Sequence, residues 1–222
     1  GYKLDVSTED ITPKKMQDIL DSLHEKKEFE ILSDMLLRSM KKAVYSSNNI
    51  GHFGLASKIY THFTSPIRRF PDLMVHTLLH KYLFENMVNM PTIRYYENYL
   101  PDACEHASKK EVDAQSAERE VLDMKMAEYM ESHIGQEYTG IISGVTNFGL
   151  FVKLPNLIEG LVHISTLKGF CTYVPNLLSL VSDGKIRYSL GQQVKVRVTG
   201  ASKENSTIDF EIIGDTNDRD KK

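Results

Sequence analysis

A switch of hydrophobic period at Ile134-Gly135 is the strongest constraint on the fold of this chain. Upstream, apolar residues recur every three or four positions. Downstream, they alternate with polar ones. These periods belong to amphipathic helix and half-buried strand, so the pattern predicts an α+β chain, a helical part followed by a strand part. The helical part is residues 1–134, the strand part 135–213, and 214–222 is a polar tail.

Within the helical part, Thr12-Pro13 reads as N-cap and first helical position. Met16, Ile19, Leu20 and Leu23 follow at helical spacing. After a break near 24–27, Phe29, Leu32, Met35, Leu36, Met40 and Val44 trace a second helix, with its methionines expected in the core. A further helix runs to about residue 85. Tyr95, Tyr96 and Tyr99 are predicted in a short helix ending before Pro101, and a long charged helix from Asp102 to about Met130. Past residue 135, five short alternating runs predict a small closed Greek-key barrel, with 166–188 as a loop between strands three and four.

Charge argues against broad duplex binding. The net charge is −3; residues 1–135 carry 17 basic and 21 acidic residues, and residues 136–213 carry 7 and 6. A groove that threads one strand needs only local positive charge. Cys104 and Cys171 stand far apart without a CxxC partner, which predicts a reducing, cytoplasmic setting and no zinc site. No apolar run approaches a membrane span.

The chemistry-bearing stretch is Tyr60-Thr61-His62-Phe63-Thr64-Ser65-Pro66-Ile67-Arg68-Arg69-Phe70-Pro71-Asp72-Leu73. Ser65 before Pro66 predicts a capped helix start, where hydroxyls, guanidiniums and free amides suit a phosphate. The same residues also make sense as a plain capped helix with solvent-facing arginines. Gly51-His52-Phe53-Gly54-Leu55-Ala56 precedes the stretch and Leu73-Met74-Val75-His76 follows it.

Together these segments resemble the later part of the RNB catalytic domain of the RNase II/RNase R exoribonucleases, with wording nearer the RNase R members. The resemblance implies that Arg68 clamps a phosphate and that Arg69 is a second contact or a partner of Asp72. It implies that Thr64 and Ser65 bond the RNA backbone or cap the helix, and that the His52 loop borders the active site. It implies that Glu111 is the counterpart of a cavity carboxylate that orients the RNA end or supports the catalytic site, with Glu118 as its rival. Thr77 stands where the family usually has arginine. The family holds magnesium with an aspartate cluster upstream of this stretch. Asp5, Asp10, Asp18, Asp21 and Asp34 lack its spacing, so no metal ligand is assigned in this chain and the Mg2+ ligands are expected upstream of it.

The runs Gly144-Val145-Thr146-Asn147-Phe148-Gly149-Leu150-Phe151-Val152 and Glu159-Gly160-Leu161-Val162-His163-Ile164-Ser165 resemble the RNA-binding OB fold of the ribosomal-protein-S-one type. Phe148, Phe151 and His163 then form a stacking platform, with Lys153 beside it for phosphates. Alternation alone expects part of this set inside the barrel, with Phe148 the most exposed.

The resemblance implies a monomeric piece of a processive 3′→5′ exoribonuclease. That enzyme would release nucleoside 5′-monophosphates from single-stranded and structured RNA. By itself this chain is expected to bind RNA and not cleave it. The alternative is a non-catalytic RNA-binding adaptor.

Overall fold

The computed structural model describes residues 11–25, 29–182 and 185–214; Asp5, Asp10 and the tail from 215 lie outside them. The described chain divides into two compact units, mainly residues 11–116 and mainly 117–214.

In the first unit, α1 (Pro13–Leu23) starts as its sequence predicts, with the Thr12 hydroxyl accepting from the Lys15 amide at 3.2 Å. Helix α2 (Phe29–Ser39) stops short of Val44. Met35 is exposed and Met16 and Met40 are half-buried, so the methionine stripe is not deep core as expected. Helix α3 runs Phe70–Leu79 and ends in a π-helical turn, His80–Phe84. Helix α4 is continuous from Met90 to Glu131 and carries Pro101 inside it. The expected break there does not occur. Proline removes one amide donor, and the many other i→i−4 bonds of a helix this long carry it past the exposed site.

In the second unit, β1 (Glu137–Thr146), β2 (Gly149–Lys153), β3 (Glu159–His163), β7 (Gln193–Ser202) and β8 (Thr207–Ile212) close a barrel in the order β1-β2-β3-β8-β7. All pairs are antiparallel except β3 with β8, which meets in parallel at Leu161 and Asp209. The barrel interior is what alternation predicts: Ile142, Leu150, Val152, Val162, Val194, Val196, Val198 and Phe210 are all at most 1% exposed. Burial of each contributes about 1.5–3 kcal/mol. Gly160 sits against the Phe210 ring, where a Cβ would come within 2.5 Å.

The stretch expected as a loop holds a second sheet, β4 (Thr172–Val174), β5 (Ser179–Ser182) and β6 (Lys185–Ser189). These strands are short, and a register shift at Leu180/Val181 interrupts alternation, so they carry little periodic signal. The last turns of α4 seal the barrel: Ala127 and Met130 are fully buried in its core. Lys203 bonds Glu128 through its ammonium and Glu131 through its backbone amide, the latter at 2.8 Å. Lys125 and Lys203 hold the Glu128 carboxyl down at about 2, outweighing its partial desolvation.

Candidate functional site

The Thr64–Asp72 segment is not the predicted helix start. Residues 66–68 form a turn, with the amides of Arg68 and Arg69 donating to the Ser65 carbonyl at 3.2 and 3.0 Å. Helix α3 begins only at Phe70, with Arg69 as its extended N-cap residue and Pro71 in its first turn. The reason is Asp72. Its carboxylate is fully buried and accepts from the Ser65 amide and the Arg69 guanidinium, each at 2.8 Å. Ser65 is thereby tied back to α3 through its backbone amide from seven residues away, and its hydroxyl makes no capping hydrogen bond among the described residues. Burial pushes the Asp72 carboxyl up, but the Ser65 amide and Arg69 outweigh it and hold it below its ordinary value.

This arrangement separates the two arginines. Arg69 is half-buried and committed to Asp72. Arg68 is exposed on the turn beside the fully exposed Ile67, with no ion pair among the described residues. Thr64 is also exposed, and its hydroxyl makes no hydrogen bond there. The segment therefore presents one guanidinium and one hydroxyl to solvent.

His52 closes its own loop. Its Nδ1 accepts from the Leu55 amide at 3.2 Å, and its ring meets the Tyr60 ring edge-on at 4.8 Å. Gly51 adopts φ +68° where a Cβ would lie 2.8 Å from the Ser57 carbonyl, so the loop closes on itself there. His76 donates from Nε2 to the Phe63 carbonyl at 2.8 Å and stacks on Phe63. Thr77 bonds back to the Leu73 carbonyl.

Sequence reasoning missed Tyr45. Its amide donates to Ser108 Oγ on α4 at 2.9 Å, and its hydroxyl shares a hydrogen bond of 3.1 Å with His62 Nδ1. Tyr60, His62 and Tyr45 continue the edge-to-face ring series that starts at His52. Burial raises the Tyr45 phenol above its ordinary value, and Glu111 adds to the rise. Tyr45 thus stands where Glu111 and the Arg69–Asp72 pair are both felt. The alternation Tyr60-Thr61-His62 was the only hint of this ring series in the sequence. Glu111 is exposed, holding Gln115 at 3.3 Å; Glu118 is exposed on the part of α4 that belongs to the second unit.

On the barrel, Phe148, Phe151, Lys153 and His163 are all outside the core. Gly149 pairs with His163, Phe151 with Leu161 and Lys153 with Glu159 across β2 and β3, so Phe151, Lys153 and His163 share the outer face. Phe148 is 45% exposed at the turn and meets Phe151 edge-on at 5.9 Å. His163 Nδ1 is 2.7 Å from Ser165 Oγ, which fixes the ring at the end of β3. The expectation that part of this set lies inside the barrel is not met; Leu150, Val152 and Val162 fill the inward positions.

Among the described residues, no three His, Cys, Asp or Glu side chains converge on a point that could hold a metal. The donor set does not fit a magnesium site, and no chemical step through metal is assigned to these residues.

Residues 3–85 match the RNB domain and residues 131–213 match the S1 RNA binding domain. Ribonuclease R 1 of Lactococcus lactis is 45% identical over 96% of this chain, and ribonuclease R of Thermotoga maritima is 42% identical over 91%. Both parts of the chain are similar to ribonuclease R. The chain spans 26% and 29% of the length of those two relatives. The apo form of Mycoplasma genitalium RNase R superposes with a TM-score of 0.87 at 27% identity, over 96% of this chain and 34% of that one. The same protein in complex with ribose methylated single-stranded RNA gives the same score. The Asp72-braced turn and Tyr45 lie within the RNB-matching residues, and the aromatic barrel face lies within the S1-matching residues.

Proposed function

We propose that this chain supplies the RNA-gripping barrel, and part of the wall of the catalytic cavity, of a 3′→5′ exoribonuclease that shortens single-stranded RNA to nucleoside 5′-monophosphates. The observation that carries the reading is the outer face of the S1 barrel, where Phe148, Phe151 and His163 offer ring faces and Lys153 a cation. Stacking on such rings tolerates any base and is worth about 1–3 kcal/mol per base. Strand hydroxyls and phosphates need no sequence code for this grip, so a processive enzyme can slide along its substrate.

In the RNB-matching part, exposed Arg68 is the phosphate contact and stabilises charge that grows in the transition state. Arg69 holds Asp72, and Asp72 holds the turn that presents Arg68. Glu111 orients the RNA end in company with Tyr45. Ligands for magnesium, which such a reaction uses, come from residues outside this chain. The working unit is a monomer in the cytoplasm.

The test is fluorescence anisotropy of the 222-residue chain with labelled oligouridylate and with a blunt RNA duplex of equal length. The single strand is expected to bind at least tenfold more tightly. Equal or stronger duplex binding would overturn the stacking account.

A further inference from the structure

The S1 domain's small positive excess lies in its inserted sheet. Between 164 and 189 the sequence has Lys168, Lys185 and Arg187 against the single acidic Asp183. On the rest of the domain, Lys195 and Arg197 bond Glu137, Arg197 also bonds Glu211, and Lys203 bonds Glu128. Lys168 and Lys185 are exposed and make no ion pair among the described residues.

Phe170 follows Lys168 by two residues and is 87% exposed. A lone exposed apolar side chain is ordinary. This one differs in how it is held. Leu167 and Cys171 on either side are each 7% exposed and belong to the barrel's core cluster, so both ends of the arm are anchored. Between them Gly169 adopts φ +85°, and a Cβ there would lie 3.3 Å from the Arg187 guanidinium. An exposed ring two residues from Lys168, on an arm whose Gly169 lies against the Arg187 guanidinium, has the composition that holds a nucleobase and its phosphates.

We propose that Lys168, Phe170 and Arg187 form a second contact for single-stranded RNA, separate from the Phe148–Phe151–His163 face. The inference rests on the RNA-binding reading above and extends the strand's footprint onto the inserted sheet.

The chain has no tryptophan, so Phe170→Trp places a single reporter at this point and Phe148→Trp a control on the barrel face. Each is titrated with a long oligouridylate. In parallel, anisotropy is measured for the unaltered chain, Phe148→Ala, and the double variant Lys168→Ala/Phe170→Ala, with circular dichroism to confirm folding. The expected result is saturable quenching of the indole fluorescence of the Phe170→Trp variant and at least about fivefold weaker binding by the double variant. If the unaltered chain binds and Phe148→Ala weakens it, while the Phe170→Trp signal stays flat and the double variant binds normally, this inference fails and the function stands. If the unaltered chain binds no RNA, both fall.

Discussion

Asp72 shows how one buried carboxylate decides what two arginines are for. By bonding the Ser65 amide and the Arg69 guanidinium, it closes the turn that leaves Arg68 free in solvent. Asp72→Asn keeps the shape but loses the charge that balances Arg69, so the melting temperature by circular dichroism is expected to fall. An unchanged midpoint would mean that Asp72 does not brace the turn. Arg68→Ala belongs to a different experiment. It uses a hybrid in which this chain replaces the matching segment of the Lactococcus ribonuclease R 1, with which it shares 45% identity, and takes the activity of the unmutated hybrid as its reference. In that hybrid, Arg68→Ala is expected to lower turnover by at least about a hundredfold with RNA affinity nearly intact. Equal loss of both would assign Arg68 to ground-state binding. Phe148→Ala is expected to weaken oligouridylate binding about 5- to 150-fold, as one lost stack requires. Unaltered affinity would make Phe148 a bystander.

Elements differ in how far their sequences declare them. The barrel strands were legible because inward residues such as Leu150, Val152 and Val162 alternate with outward ones. A substitution that fills the interior tests that packing. Gly160→Ala would drive a methyl into the Phe210 ring and is expected to cost about 1–3 kcal/mol in urea unfolding. The outward placement of Phe151, Lys153 and His163 follows from the same alternation, once β2 and β3 are in register. The start of α3 at Phe70 was not legible, because a tertiary bond from Asp72 overrides the local Ser65-Pro66 capping signal. Neither was the passage of α4 through Pro101, where the length of the helix outweighs one lost donor. The inserted sheet was hidden by strands too short and irregular to show a period. Glu111 was singled out only by resemblance; its relation to Tyr45 depends on a contact between residues 63 positions apart, Tyr45 and Ser108.

For the whole molecule, the clasp between α4 and the barrel has a predictable pH response. The Glu128 carboxyl lies at about 2 when folded, below its ordinary 4.5, held there by Lys125 and Lys203. A depressed carboxyl contributes stability above its unfolded value and loses it as pH falls toward the folded one. Unfolding midpoints of the unaltered chain should therefore drop between those two values more steeply than those of Glu128→Gln. Parallel curves would show that the clasp adds nothing. The central proposal is that this chain grips single-stranded RNA and, by itself, leaves it uncut. Its most direct test is incubation of the chain with a 5′-labelled single-stranded RNA and magnesium, followed by native and denaturing gels. A shifted band with full-length RNA is expected. A ladder shortening stepwise from the 3′ end, in a preparation free of host nuclease, would contradict the claim.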